Sequence, residues 1–213
     1  MKKPDYSKPD HYSRKAKEQG FPARSVFKLE ELDERFHLLK PGMRVLDLGA
    51  APGSWMKYCS EKVGAPGLVL GIDRSQLSRS LRGNEVFIQS DIFMIEPARL
   101  CGEYRAFDLA LSDLAPDLIG NKSADSAKSI ALCERAYKFA GCLLKPGGAF
   151  LIKAFQGEGF DEFCKALSEK FKSVSTTKPK SSRPNSREMY VYCRGFRAAQ
   201  SAAGREKNQE KEK

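Results

Sequence analysis

Residues 45–53 read Val45-Leu46-Asp47-Leu48-Gly49-Ala50-Ala51-Pro52-Gly53, a short apolar run followed at once by a glycine-rich loop. The apolar run is typical of a buried strand, and the residues from Trp55 onward have the pattern of a helix. Glycines between a strand and a helix let the backbone turn sharply and let a ligand lie against main-chain N–H groups. This stretch therefore predicts a strand, a ligand-binding loop and a helix in succession.

The rest of the chain repeats this alternation of apolar runs and helical stretches. Further strands are predicted at 68–72, 86–88, 107–111, 149–154, 174–177 and 189–193. Helices are predicted at 55–63, 126–144 and 160–171, together with an earlier one that Ser25 caps and that ends before Pro41. Alternating strands and helices predict an α/β fold with a doubly wound, mostly parallel, seven-stranded sheet that binds its ligands at the carboxyl ends of the strands.

The spacing of the glycine-rich loop discriminates between nucleotide ligands. Dinucleotide enzymes use Gly-x-Gly-x-x-Gly to seat a pyrophosphate, whereas this loop has Gly-x-x-x-Gly with Pro52 inside it and Trp55 just beyond. A nicotinamide-dependent dehydrogenase is therefore excluded. Asp73 ends the second strand 20 positions after Gly53, where it can accept both hydroxyls of a ribose, and Asp91 ends the third strand, within reach of an adenine amino group. Such a loop with two strand-end acids fits S-adenosylmethionine; the alternative is a glycine-rich turn without a ligand.

Five motifs carry a resemblance to a known family. They are Arg24-Ser25-Val26-Phe27-Lys28-Leu29, the loop of residues 47–55, Ser112-Asp113-Leu114-Ala115-Pro116, Lys153-Ala154-Phe155-Gln156-Gly157, and Ser182-Arg183-Pro184-Asn185-Ser186-Arg187-Glu188. On these motifs the chain, from about Tyr12 to Gly195, resembles the FtsJ-type ribose 2′-O-methyltransferases of large-subunit ribosomal RNA. The resemblance implies a Rossmann-like methyltransferase fold, S-adenosylmethionine as cofactor, uridine as the favoured nucleotide, and ribosomal RNA, free or within the large subunit, as partner.

The resemblance also assigns roles to individual residues. It implies a catalytic Lys-Asp-Lys-Glu tetrad at Lys28, Asp113, Lys153 and Glu188. It implies that the cofactor is bound by Gly49, Gly53, Trp55, Asp73, Asp91 and Asp113. The chain departs from the family after Pro116, where Asp117-Leu118-Ile119 stands in place of an Asn and a small Ser-Gly pair. This departure bears on which nucleotide is accepted.

Elementary chemistry gives the four tetrad positions distinct roles. Lys153 ends a strand that would otherwise be apolar, so a charge there is costly without a purpose, and we predict that it is the general base. Lys28 lies in the first helical turn, where the macrodipole disfavours a cation by about 0.3–1 kcal/mol; two crowded lysines lose a proton more readily. Asp113 and Glu188 would hold the ammonium groups in place. The alternative is a buried ion-pair network with no catalytic task.

The net charge of +10 is concentrated at the two ends of the chain. Residues 1–28 hold eight basic and three acidic residues, and residues 178–213 hold ten and four, whereas the middle is nearly neutral. Basic arms beside a neutral domain favour a nucleic-acid partner, and we predict RNA contacts at Arg14, Lys15, Lys17 and Arg24. We expect a basic arm at 1–21, a methyltransferase domain at 22–196 and a charged, disordered tail at 197–213, whose part from Ala198 onward serves solubility rather than RNA binding.

The composition gives no indication of a membrane span, a signal peptide or a metal site. No apolar run approaches the roughly 18 residues of a membrane span, and no apolar segment follows the basic N-terminus as in a signal peptide. The six cysteines include no Cys-x-x-Cys pair, and the two histidines give no indication of a metal site. We therefore expect a cytoplasmic monomer without metal or membrane contact. Two alternatives stay open: a transfer RNA ribose 2′-O-methyltransferase, and a non-catalytic RNA-binding ribosome-assembly factor on the same fold.

Overall fold

A seven-stranded sheet forms the centre of the computed structural model, which describes residues 11–104, 106–183 and 185–198. The strands are β1 (Arg44–Leu48), β2 (Leu68–Asp73), β3 (Glu85–Gln89), β4 (Phe107–Ser112), β5 (Leu144–Phe155), β6 (Phe171–Thr177) and β7 (Glu188–Phe196). Their order is β3-β2-β1-β4-β5-β7-β6, and β7 alone runs antiparallel to its neighbours β5 and β6. The predicted doubly wound, mostly parallel α/β fold is confirmed.

Helices cover both faces of the sheet. They are α1 (His11–Glu18), α2 (Val26–Phe36), α3 (Ser54–Val63), α4 (Pro97–Leu100), α5 (Lys122–Leu143) and α6 (Phe160–Lys170). Successive residues of β4 serve opposite faces: Leu109 and Leu111 pack in the cluster with α2 and α3, and Ala110 packs in the cluster with α5 and α6. This two-sided burial explains why the strands read as continuous apolar runs. Among the described helices, none has the length and apolar character needed to cross a bilayer.

The N-terminal arm contains a helix that the sequence analysis did not predict. α1 has the strongly polar sequence HYSRKAKE, and the one residue that it buries is Ala16. It is fixed by aromatic and cationic contacts with α2, because the ring of Tyr12 lies 5.5 Å from that of Phe27 and the ammonium of Lys15 lies 4.7 Å from the same ring. Residues 1–10 and most of the predicted tail, residues 199–213, lie outside the described residues.

The structure corrects the expected cap of α2 and the expected start of α5. Ser25 occupies the N-cap position of α2, but its side chain makes no capping hydrogen bond; its carbonyl instead accepts a hydrogen bond from the indole N–H of Trp55 at 2.9 Å. α5 begins at Lys122 rather than at 126, because the side chain of Asn121 accepts hydrogen bonds from the N–H groups of Ser123 and Ala124. The strand register brings Leu48 opposite both Ile72 and Ser112, so the residues that follow these strand ends converge.

Candidate active site

Two adjoining cavities open where the convergent strand ends meet. The first has a volume of about 550 Å³ and is lined by more carboxylates than cations, so we name it the acidic cavity. Its charged lining consists of two cations, Arg74 and Lys128, and four carboxylates, which are Asp73, Asp91, Asp113 and Asp117. It lies beside the junction of β1 and β4, where the strand order reverses and open α/β sheets bind their ligands.

The second cavity has a volume of about 440 Å³ and the opposite charge, so we name it the basic cavity. Its charged lining consists of Arg24, Lys28, Lys153 and Arg183 against Glu188. Ala115 and Pro116 line both cavities and therefore form the wall between them. Two cavities with linings of opposite net charge thus lie side by side.

An ion pair crosses the wall between the cavities. The ammonium Nζ of Lys153, which lines the basic cavity, lies 3.0 Å from Oδ1 of Asp113, which lines the acidic cavity. The same ammonium donates a hydrogen bond to the carbonyl oxygen of Asp113 at 2.7 Å. Lys153 is nearly buried in β5, and Asp113 follows the end of β4, so the parallel pairing of these strands brings the two together.

The other half of the predicted tetrad forms a second ion pair. Lys28 in the first turn of α2 pairs with Glu188 at the start of β7, and both side chains are mostly shielded from solvent. The hydroxyl of Ser182 donates a further hydrogen bond to Glu188 at 3.0 Å. The four residues of the predicted tetrad therefore form two lysine–carboxylate pairs, and their catalytic role stays a prediction. Both lysines line the basic cavity, and each has a carboxylate as its partner.

Tyr190 is a member of this site that the sequence analysis missed. It is fully buried on β7, directly across the antiparallel ladder from Lys153, and its hydroxyl donates to Oδ1 of Asp113 at 2.7 Å. Burial alone would raise the pKa of Asp113, but the charges of Lys153 and Lys28 and the hydrogen bonds from Tyr190 and Lys153 outweigh it and lower that pKa. Tyr190 thus helps to keep Asp113 ionised and in position beside Lys153.

Asp73 and Asp91, the acids predicted to bind the cofactor, line the acidic cavity and accept hydrogen bonds from backbone N–H groups. Asp73 accepts hydrogen bonds from the loop N–H of Ala51 at 3.0 Å and from the N–H of Ser75 at 2.8 Å. Asp91 accepts from the N–H of Phe93 at 2.9 Å. These bonds shape the two segments that line the cavity, and they fix the direction in which the carboxylates face it.

The glycine-rich loop closes tightly against the segment after β4. Gly49 lines the acidic cavity with φ of 85°, and a Cβ on it would come within 3.0 Å of the backbone nitrogen of Leu114. Gly53 and Trp55 do not line this cavity: Gly53 is the N-cap residue of α3, and Trp55 is buried with its ring 6.1 Å from that of Tyr190. Their predicted part in cofactor binding stays a prediction, and the indole itself connects α3 to α2.

Arg135 of α5 holds the segment that follows Asp91. Its guanidinium donates to the carbonyl oxygen of Ile92 at 2.8 Å and also to the carbonyl of Ile95, while the carboxylate of Glu96 lies 3.4 Å away. Ile92 lines the acidic cavity. A nearly buried arginine with backbone carbonyls as partners fixes an irregular segment that strand pairing does not reach.

Asp47 of β1 is a fully buried acid. Neither carboxyl oxygen has a hydrogen-bond partner among the described residues. Burial, together with the negative charges of Asp113 and Asp73, raises the pKa of Asp47 well above its ordinary value. The protonated form of Asp47 is therefore favoured over the carboxylate, since an isolated buried carboxylate is costly.

The cations predicted to bind RNA occupy two places. Arg24 lines the basic cavity, where its guanidinium donates to the carbonyl of Ser181 at 2.6 Å. Arg14, Lys15 and Lys17 lie on α1 and do not line that cavity. Among the described residues there is no cluster of His, Cys, Asp and Glu that could hold a metal ion.

Asp117 and Leu118, which depart from the family pattern after Pro116, line the acidic and the basic cavity, respectively. Asp117 forms an ion pair with Arg74 across the acidic cavity at 2.9 Å, and both side chains are exposed. Leu118 lines the basic cavity, and it and Ile119 are more than 60% exposed, at 64% and 63%. The N–H of Ile119 donates to the buried carboxylate of Asp125 at 2.9 Å, which anchors this segment to α5.

Comparison with known proteins places this architecture among methyltransferases. The model of the FtsJ-like methyltransferase family matches residues 21–196. A protein named ribosomal RNA large subunit methyltransferase E in Desulfatibacillum aliphaticivorans is 50% identical over 182 residues, which cover 85% of this chain and 88% of that protein. A protein of the same name in Desulfosudis oleivorans is 45% identical over 183 residues, which cover 86% and 88%.

A solved structure agrees with the sequence comparisons. A Plasmodium falciparum protein assigned to the ribosomal RNA methyltransferases superposes with a TM-score of 0.74 at 30% sequence identity. The match covers 84% of this chain and 100% of the other. The similarity of the fold therefore spans most of the chain.

Proposed function

The chain belongs to the FtsJ-like methyltransferase family, and we propose that it transfers the methyl group of S-adenosylmethionine to a ribose 2′-hydroxyl, with uridine favoured, in large-subunit ribosomal RNA. The names of its relatives support this RNA as the substrate. The observation that carries the proposal is the ion pair between Lys153 and Asp113, 3.0 Å apart, because its lysine lines the basic cavity and its carboxylate lines the acidic one.

The acidic cavity suits S-adenosylmethionine in charge and in hydrogen-bonding groups. This cofactor supplies an electrophilic methyl group on a positively charged sulfur. A carboxylate offers about four lone-pair positions, so Asp73, which accepts two backbone N–H groups, retains positions for the two ribose hydroxyls. Asp91 would accept from the adenine amino group, and Asp113 brings a negative charge to the side of the cavity nearest Lys153.

The basic cavity suits a ribose with its neighbouring phosphates. Lys153, in its neutral form, would accept the proton of the 2′-hydroxyl at Nζ, while Asp113 and Tyr190 hold the side chain in position. Lys28, held by Glu188, would orient the same hydroxyl. Placing the attacking oxygen about 3 Å from the methyl carbon supplies the larger part of the rate gain, and the base adds roughly 10² to 10⁴.

The remaining parts of the proposal concern the protein around the site. We assign the domain to residues 22–196, with the arm at 1–21 and the tail at 197–213, and we expect a cytoplasmic monomer. Arg14 and Lys17 on α1 are exposed, and α1 packs on α2, the helix that carries Lys28. We therefore expect the RNA backbone to run from the basic cavity across α1.

Methylation with labelled S-adenosylmethionine tests the proposal. The protein is incubated with large ribosomal subunits, free ribosomal RNA or transfer RNA, and the recovered RNA is digested with alkali. A 2′-O-methyl group blocks alkaline cleavage at its own nucleotide, so label on the ribose survives in an alkali-stable dinucleotide. Label on a base would appear in mononucleotides.

Each outcome has a defined meaning. Alkali-stable label in large-subunit RNA is the expected result, and its dependence on Asp73 and Lys153 would assign the chemistry to the two cavities. Label confined to transfer RNA would make the protein a transfer RNA methyltransferase. RNA binding without label in any pool would contradict enzymatic activity and favour the assembly factor.

A further inference from the structure

Two arginines from different elements meet at the basic cavity. Arg24 precedes α2, and Arg183 lies in the loop between β6 and β7. The loop is tied to α2 because Glu31 accepts hydrogen bonds from the N–H groups of Lys180 at 2.8 Å and Ser181 at 3.3 Å. Arg24 adds a third tie through its bond to the carbonyl of Ser181 at 2.6 Å. These bonds hold the guanidinium of Arg24 and the start of the loop that carries Arg183 beside the basic cavity.

These two guanidinium groups lie close enough to repel each other. Burial and, after it, the positive charge of Arg183 lower the pKa of Arg24, against the opposing effect of Glu188. Glu188 is already engaged by Lys28 and Ser182. The cavity lining carries four cations and Glu188, with Asp113 paired to Lys153 from the other cavity, so positive charge outweighs negative and favours an anionic ligand. Phosphate matches guanidinium in geometry as well as charge, because the planar fork can donate two parallel hydrogen bonds.

The position of the arginines relative to the tetrad indicates which phosphate they would bind. The N–H of Phe27 donates to the carbonyl of Arg24 at 3.2 Å, so the chain from Arg24 to Lys28 forms one helical turn, and both side chains line the basic cavity. In a nucleotide, O2′ and O3′ are on neighbouring carbons, whereas the 5′-phosphate lies across the ribose ring. With the 2′-hydroxyl at Lys28 and Lys153, the nearest phosphate is the one on O3′.

We propose that Arg24 and Arg183 form a subsite for the phosphodiester on the 3′ side of the nucleotide to be methylated. This inference rests on the proposed function, and it adds a requirement to it. The bound 3′-phosphate fixes the ribose so that its 2′-hydroxyl faces Lys153. A nucleotide that ends in a free 3′-hydroxyl lacks this anchor and is a poor acceptor even when its base is correct.

Binding of small nucleotides to the full chain tests the subsite. Uridine, uridine 5′-monophosphate and uridine 3′-monophosphate are titrated into the protein while the side-chain N–H signals of the arginines are followed by NMR. We expect the 3′-monophosphate to bind at least about 10-fold more tightly than the 5′-monophosphate and to shift the signals of Arg24 and Arg183. Arg183→Gln should remove this preference because it removes one of the two guanidinium groups. The variant should fold normally, since Arg183 is exposed and lies outside the core.

A matched variant serves as the control. Arg194 is an exposed arginine of β7 that faces Ser173 of β6, and Arg194→Gln should leave the 3′ preference unchanged. Equal affinities for the two monophosphates in the unmodified protein would overturn the subsite. So would a 3′ preference that persists in both Arg183→Gln and Arg24→Gln.

Methylation of ribosomal RNA, measured alongside, separates this inference from the proposed function. Methylation without a 3′ preference would overturn the subsite alone. A 3′ preference that depends on Arg183, in a protein that methylates no RNA, would contradict the proposed function and leave the phosphate subsite standing.

Discussion

Lys153 and Tyr190 stand opposite each other on β5 and β7, and both reach Oδ1 of Asp113, at 3.0 and 2.7 Å. The antiparallel register of these strands therefore sets the position of the carboxylate that separates the two cavities. A change at Tyr190 is expected to act on Lys153 through Asp113, without direct contact with a substrate.

Tyr190→Phe tests this relationship. Loss of the hydroxyl removes one hydrogen bond from an ionised carboxylate, so we expect about 1.5–3 kcal/mol less stability and roughly a 10-fold fall in kcat, because Lys153 is less firmly placed. The matched control is Tyr58→Phe, which removes a hydroxyl bond of 3.0 Å to Asp33, away from the cavities. Urea unfolding and single-turnover methylation measure the two effects. Equal losses of turnover in the two variants would show that the effect of Tyr190 is only structural.

Asp73→Ala tests the assignment of the acidic cavity. The two ribose hydroxyls lose their acceptor, and we expect S-adenosylmethionine to bind more weakly by about 1.5–3 kcal/mol in calorimetry. Stability should also fall, because Ala51 and Ser75 lose the acceptor of their N–H groups. Asp117→Asn is the control, since Asp117 lines the same cavity but is exposed and paired with Arg74. Unchanged cofactor affinity in Asp73→Ala would remove Asp73 from the binding site.

Arg135→Gln tests the support of the adenine side. Without the guanidinium, the carbonyls of Ile92 and Ile95 lose their donor, and the segment after Asp91 is less firmly held. We expect the Kd for S-adenosylmethionine to rise about 10-fold while the KM for RNA is unchanged. Arg82→Gln, which removes an exposed ion pair to Glu61, should change neither constant. A rise in the RNA KM of Arg135→Gln would argue for a general loss of structure.

Much of the site follows from the sequence because parallel strands end at one edge of a sheet. That rule brings together Asp73, Asp91 and Asp113, each of which follows or ends a strand readable from its apolar run. The pairing of the tetrad does not follow, because it depends on the antiparallel insertion of β7 between β5 and β6.

Two features carried too little local signal to be predicted. Tyr190 lies in the run Tyr190-Val191-Tyr192-Cys193, which reads simply as an apolar strand, and its functional contact appears only with the register. α1 escaped prediction because a single buried alanine leaves no apolar period, and its order comes from contacts with α2.

Asp47→Asn tests whether the pKa of the buried Asp47 is raised, through the pH dependence of the free energy of unfolding. Because the pKa of Asp47 is raised in the folded protein, its favourable contribution is complete below the unfolded value near 3.8 and is lost as pH rises toward the folded value. Asparagine does not titrate, so the stability of the Asp47→Asn variant relative to that of the unmodified protein should improve as pH rises above the unfolded value near 3.8. Urea unfolding at several pH values measures the difference. A constant difference across this range would mean that Asp47 does not titrate abnormally.

Single-turnover methylation by Lys153→Arg tests most directly whether Lys153 is the base. The readout is the alkali-stable dinucleotide label in large-subunit RNA. Arginine keeps the positive charge, but its pKa above about 12 prevents it from acting as a base. We predict that the rate falls by about 10² or more with unchanged affinity for S-adenosylmethionine. Lys145→Arg, at the other end of the same strand and paired with Asp108, should react normally. A near-normal rate for Lys153→Arg would contradict the role of Lys153 as the base between the two cavities.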